Sequence, residues 1–263
     1  MAQRIIQVDA FTRTPYRGNP AAVCVLESAA DEVWMQNVAR EMNLSETAFL
    51  FSEQNGYRLR WFGPKEEVDL CGHATLASAH VLWEDRREPP GKEITFFTRS
   101  GILSARKEGD WIMLNFPLEP ASELPIPSAL VDALGVELRY FGENRVDCIV
   151  EVESEEVLRS LKPDFGKLQK FSARGFMVTS RSSTPGYDYI SRFFAPGRGV
   201  NEDPATGSSH CCLGPFWKER LKKNEFVAFQ ASLRGGIAKI KVLEGRVNIG
   251  GQAVTVLKGE LLY

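Results

Sequence analysis

The chain has 263 residues, 43% of them hydrophobic and 25% charged, which are the proportions of an ordinary globular protein and exclude extended disorder, collagen and a coiled coil. Lys plus Arg numbers 32 against 34 Asp plus Glu, so a net charge of -2 leaves no electrostatic footprint for nucleic acid or an anionic membrane. A small uncharged or anionic metabolite is the expected partner. No run approaches the roughly 18 apolar residues of a membrane span, and Arg4 and Asp9 around Ile5, Ile6 and Val8 do not read as a signal peptide. Five cysteines, with Cys211 and Cys212 adjacent, do not resemble a secreted disulfide framework, so a reducing cytoplasm is the expected location. His73, His80, His210 and the cysteines form no metal-ligand spacing, and there is no Gly-x-Gly-x-x-Gly or Walker loop. The expectation is a site without metal, nucleotide or other cofactor.

In chain order, the apolar β-forming runs 5–8 and 21–26 predict strands, and 31–42 predicts a helix with Asp31 as its N-cap. Runs 47–51 and 59–62 predict two more strands. A helix is expected from Gly72, built from Ala74, Ala77, Ser78 and Ala79 and almost uncharged to Leu82. Pro117, Pro120, Pro125 and Pro127 make 117–128 an extended connector and the best lobe boundary. A second helix of small residues follows Gly207, with Ser208, Ser209, Cys211, Cys212 and Gly214. Beyond it, 238–242 alternates apolar residues with Lys239 and Lys241, the period of a half-buried strand.

The chain repeats itself across the connector. Phe62-Gly63-Pro64 recurs as Phe194-Ala195-Pro196, and Arg99-Ser100-Gly101-Ile102 as Arg234-Gly235-Gly236-Ile237; between them Cys71, Gly72 and His73 superpose on Thr206, Gly207 and Ser208. Matches in one order point to two copies of one unit. Thin helices suit tightly curved sheets, because large side chains would hold the backbones apart. The reading is therefore α+β, with two pseudo-equivalent lobes of about 1–118 and 126–251, each a bent sheet around a central helix.

If the lobes are equivalent, the helix starts at Gly72 and Gly207 are expected to face one cleft. Free N–H groups and the partial positive charge of a helix N-terminus suit a substrate carboxylate. Glu46, in NLSETAFLF, is an acid entering an apolar strand on the side of Ala48 and Leu50. Desolvation there favours its protonated form and suits proton exchange near neutral pH. A capping box from Ser45 would need Glu or Gln where Ala48 stands. His73 and Asp203 flank the two glycines as donors or charge partners. Cys71 stands where a helix start favours a thiolate, but Thr206 at the matching place leaves a two-thiol racemase short of a base. Cys211 and Cys212 are expected to be packed rather than reactive.

RGNPAAVC at 17–24, AREMNLSETAF at 39–49, LCGHATLASA at 70–79 and EDPATGS at 202–208 together resemble the PhzF-like phenazine-biosynthesis family, including its animal branch of phenazine-biosynthesis-like domain-containing (MAWD-binding) proteins. The resemblance implies the diaminopimelate-epimerase fold, with a last strand of about 252–263 returning to the first lobe, and a homodimer. It implies a cofactor-independent isomerase moving a proton within a small, cyclic or unsaturated carboxylic acid. Glu46 then corresponds to the single acid–base glutamate, with His73, Asp203 and Ser208 as further catalytic positions and Asn19, Ser45, Gly72, Thr206 and Gly207 as substrate-binding positions. A binding protein that keeps the fold without catalysis is the alternative from another class.

Overall fold

Backbone pairing extends the apolar runs beyond their hydrophobic residues. In the computed structural model, which describes residues 2–89 and 91–262, the run at 5–8 becomes strand Gln3–Ala10 and the run at 59–62 becomes Gly56–Phe62. Contacts divide the chain into two units, Met1–Phe116 with Asn248–Tyr263, and Pro117–Val247. The terminal residues of the expected lobes, Met1 and Tyr263, lie outside the described residues.

In the first unit, Gln3–Ala10 pairs antiparallel with Asn19–Val25, which runs parallel to Glu46–Glu53. That strand is antiparallel to Gly56–Phe62, which pairs antiparallel with Glu67–Val68 and parallel with Ile94–Thr98; Gly101–Glu108 and Trp111–Pro117 follow as antiparallel neighbours. The last strand, Ala253–Leu261, pairs antiparallel with the first, through a register shift between Gln7 and Val8. Helix Glu32–Met42 starts where Asp31 accepts from Trp34 N and stops at Asn43, in left-handed conformation. Its Met35, Val38 and Ala39 pack with Phe49 and Phe62.

Helix Gly72–Glu84 is the element the sheet wraps: every residue from Gly72 to Ala79, and from Val81 to Trp83, is buried. Full burial is tolerable because its few hydroxyls are satisfied within the helix, Thr75 Oγ1 donating to Cys71 O and Ser78 Oγ to Ala74 O. The approach is close enough to require a glycine on the strand opposite. A Cβ at Gly251 would stand 2.4 Å from Leu76 Cδ1 and 2.6 Å from Phe11 Cδ1.

The second unit repeats the pairing order. Leu138–Glu143 is antiparallel to Asp147–Val152, which is parallel to Gly175–Arg181; next come Tyr189–Ala195 antiparallel, Val200–Asp203 antiparallel to it, Glu225–Gln230 parallel to it, and Gly236–Val242 antiparallel. This is the same alternation of parallel and antiparallel neighbours as in the first unit, so the repeat is structural. Phe176, Val178, Ile190 and Phe194 form a core with Leu130, Leu134 and Leu158. In Gly236–Val242, Ala238, Ile240 and Val242 are buried and Lys239 and Lys241 exposed.

The helix of this unit differs at its start. Gly207–Ser209 is a 3-10 turn, and the α-helix proper is His210–Leu221. Pro215 lies inside it and has no N–H to donate to the carbonyl four residues back. That carbonyl, Cys211 O, instead accepts from Glu119 N of the Pro-rich connector at 3.0 Å. His210 is buried with its Nδ1 hydrogen-bonded to the Tyr189 hydroxyl at 2.9 Å, and burial pushes its pKa down to about 3. Cys211 and Cys212 are 1% exposed, and burial pushes both thiols up, Cys212 to about 12. The architecture is α+β, two similar lobes each with a sheet around one helix. No described helix is long and apolar enough to cross a membrane.

Candidate active site

Two strand starts and one helix start meet in the first unit. Asn19 opens Asn19–Val25, Glu46 opens Glu46–Glu53, and these strands run parallel with Ala21 opposite Glu46, so both residues emerge at one end of the sheet. Gly18 makes the entry possible: its φ is +62°, and a Cβ there would stand 2.1 Å from Ala10 O. Cys71 is the N-cap of helix Gly72–Glu84, its backbone extended and its side chain making no capping bond, which leaves the first N–H groups of the helix to other acceptors. His73 is the second residue of that helix.

Imidazole links these pieces. His73 Nε2 lies 3.2 Å from Glu46 Oε2, and on the other side of the ring Nδ1 lies 3.2 Å from Asn19 Nδ2 and 3.5 Å from Cys71 Sγ. The His73 side chain is 5% exposed and that of Glu46 is 20% exposed, so the carboxylate alone opens toward solvent while its partner is sealed. A buried imidazole 3.2 Å from a half-open carboxylate gives a pair of groups suited to taking and returning a proton from one side. Potential ligand atoms of Glu46, Cys71 and His73 lie within 4.8 Å of one another. Glu46 approaches Nε2 of the ring and Cys71 approaches Nδ1.

Glu46 does not alternate as the sequence suggested. Thr47, Ala48, Phe49 and Leu50 are all buried, because the strand is covered on both faces, and Glu46 escapes burial by standing at its first position. Ser45, half-buried, precedes it in the bend after helix Glu32–Met42. Asn19 is fully buried, and its side-chain amide is hydrogen-bonded with His73.

In the second unit, Asp203 ends strand Val200–Asp203 and Thr206 caps the 3-10 turn containing Gly207 and Ser208. Thr206 Oγ1 donates to Asp203 Oδ2. Gln230, which sequence reasoning did not single out, holds this loop from both sides: its Oε1 accepts from Thr206 N at 2.7 Å and its Nε2 donates to Asp203 O at 2.6 Å. Ser232 Oγ donates to Pro204 O and Ser209 Oγ to Thr206 O, both supporting the same turn. The structure thus brings Glu46 and Asn19 each into contact with His73, and Asp203 with Thr206; Ser45, Gly72, Gly207 and Ser208 are adjacent to these in sequence.

A hollow of about 300 Å³ elsewhere in the first unit is lined by Leu26, Met35, Phe49 and Phe51, with Arg58, Arg60 and Arg99. Each arginine is ion-paired, Arg58 with Glu53 and both Arg60 and Arg99 with Glu67. It brings together no acid–base pair comparable to Glu46 and His73.

Comparison with known proteins gives one answer. Residues 8–259 match the family described as phenazine biosynthesis-like protein (PhzC-PhzF). An uncharacterized isomerase of Halalkalibacterium halodurans is 57% identical across 100% of this chain and 99% of that protein. Phenazine biosynthesis-like domain-containing protein 2 of Mus musculus is 44% identical, with 98% of each chain covered. Among solved structures, a PhzF-family protein of Enterococcus faecalis superposes with a TM-score of 0.95 at 40% identity over 100% of both chains. A hydroxyproline epimerase of Agrobacterium vitis, 11% identical, matches with a TM-score of 0.65 over 99% of this chain and 92% of its own, a likeness of fold alone.

Proposed function

Because the chain belongs to the phenazine biosynthesis-like (PhzC-PhzF) family, we propose that it is a cofactor-independent isomerase in which Glu46 carries a proton between two carbons of a small carboxylic acid. The observation that carries this reading is the contact of the half-open Glu46 carboxylate with the sealed His73 imidazole at 3.2 Å. The isomerase name of the Halalkalibacterium halodurans relative supports the reaction class.

The chemistry follows from the groups present. The ionised Glu46 takes a C–H proton from a carbon conjugated with the substrate carboxylate, and the electron pair left behind delocalises into that carboxylate as an enolate-like charge. Backbone N–H groups at the helix start near Gly72 favour the growing negative charge. Glu46, whose half-open carboxyl can exchange its proton with solvent between the two steps, then returns a proton to another carbon on the face it already touches. Charge and atoms balance without an outside acid. His73 is read as keeping Glu46 oriented through the close approach of its Nε2 edge, and Asp203, Thr206, Gly207 and Ser208 are read as groups that hold the polar substituents of the substrate, which Asp203→Asn tests through a raised KM. The protein is read as a homodimer of cytoplasmic location; light scattering that returned the monomer mass at micromolar concentration would refute the first.

Incubation with cyclic unsaturated carboxylic acids in deuterated water, followed by NMR, tests the reaction. Positioned acid–base catalysis contributes about 10²- to 10⁴-fold, so Glu46→Gln should remove nearly all label incorporation while ligand affinity changes little. Loss of exchange in Cys71→Ala but not in Glu46→Gln would replace this mechanism with a thiol-based one. Tight binding of such acids with no exchange would favour a binding protein.

A further inference from the structure

We propose that Asn19 is a positioning residue that fixes His73 as the neutral tautomer carrying its proton on Nε2, so that Glu46 faces a neutral donor rather than an imidazolium. The inference deepens the reading of Glu46 as the proton carrier and rests on it for its catalytic consequence. Its structural part stands by itself.

The donor and acceptor capacity of each atom fixes the assignment. The Asn19 Nδ2 is a donor without acceptor capacity, and it lies 3.2 Å from His73 Nδ1. Nδ1 must therefore present its lone pair. The Cys71 thiol, 3.5 Å from the same nitrogen, adds a second donor there. With Nδ1 accepting, the single ring proton of neutral imidazole sits on Nε2, which lies 3.2 Å from Glu46 Oε2. Protonating the ring would set an N–H against the Asn19 N–H within a residue 4% exposed, so both the hydrogen bond and burial oppose the charged form. The titratable groups beside His73 are Glu46 from its strand and Cys71 from the helix N-cap; on the neighbouring strand, buried Asp9 accepts from Tyr16 N at 2.6 Å.

The backbone position of Asn19 is built into the fold. It pairs with Ala10 in the antiparallel ladder, directly after the left-handed turn that only Gly18 fits. The functional consequence concerns basicity. An imidazolium would hold Glu46 ionised by charge and weaken it as a base, whereas a neutral N–H orients the carboxylate and leaves its affinity for a proton higher.

The test reads the tautomer directly, without substrate. Protein labelled with 15N-histidine should show His73 near neutral pH with a lone-pair nitrogen assigned to Nδ1 and a protonated nitrogen assigned to Nε2. A protonated Nδ1 in the wild-type protein, alone or in a doubly protonated ring, would overturn the proposal. Asn19→Asp offers an acceptor in place of the donor, and both ring nitrogens should then be protonated at the same pH; an unchanged spectrum would also overturn it. In the isotope-exchange assay, Asn19→Asp should lower the plateau rate by about tenfold, the scale of one hydrogen bond to a charged group, and move the acid limb to lower pH. Because the wild-type spectrum needs neither a variant nor turnover, it separates failure of the tautomer assignment from failure of the isomerase reading.

Discussion

Lowering the pH across the titration of His210 should destabilise the protein by an amount that can be worked out in advance. In the fold this imidazole is buried and neutral, its Nδ1 hydrogen-bonded with the Tyr189 hydroxyl, and burial takes its pKa from 6.5 down to about 3. The unfolded chain therefore binds more protons between those limits. Stability rises with pH through that window and is lost as pH falls below about 6.5, at about 1.4 kcal/mol for each pH unit. At pH of about 5 the loss from this residue is about 2 kcal/mol, and it hardly depends on where the folded value lies below that pH. His210→Asn keeps an acceptor for the Tyr189 hydroxyl without a titrating ring. Urea unfolding of both proteins at pH of about 7.5 and 5 should show the wild type losing about 2 kcal/mol more than the variant. Equal losses in the two proteins would refute the assignment of His210 as the buried neutral group.

Two further substitutions probe packing and buried charge. Gly251→Ala would drive a methyl group into Leu76 and Phe11 and should cost about 1 to 3 kcal/mol, seen as a lower urea midpoint with an unchanged m-value. Burial pushes the Glu155 carboxyl up, but hydrogen bonds from Thr184, Arg159, Ser182 and the Ser183 N–H outweigh it and hold the group well below the usual carboxylate range. Its contribution is present above pH of about 4.5 and lost as pH falls through the depressed value, so Glu155→Ala should destabilise by about 2 to 4 kcal/mol near neutral pH and converge on the wild type in strong acid.

What the sequence disclosed depended on whether a residue speaks through its neighbours in the chain. The helix from Gly72 was legible because small uncharged side chains over several turns have few explanations other than burial on all sides. The repeat was legible because Phe, Gly and Pro recur in order, and the two pairing schemes match strand for strand. Glu46 stood out as a charge at the mouth of an apolar run, although its strand is buried on both faces rather than alternating. The start of the second helix was not legible, since nothing in Gly207, Ser208 and Ser209 separates a 3-10 turn from the first turn of an α-helix. Gln230 and the contact of Asn19 with His73 were hidden for another reason: each acts on a residue distant in sequence, Gln230 on Asp203 and Thr206, and Asn19 across the sheet end. Such pairings are created by topology, and one sequence carries no local mark of them.

Pro215 bears on the order in which the second unit can assemble. Because the ring leaves the Cys211 carbonyl without its partner inside the helix, that oxygen would lie dehydrated and unmet in the core until the Glu119 amide arrives. The connector thus works as a backbone latch, and sealing the helix from water before the latch engages would leave that carbonyl unpaired. Hydrogen exchange at the Glu119 amide would then report the closing of the whole helix, although Glu119 lies far from it in sequence and belongs to a segment with the composition of a linker.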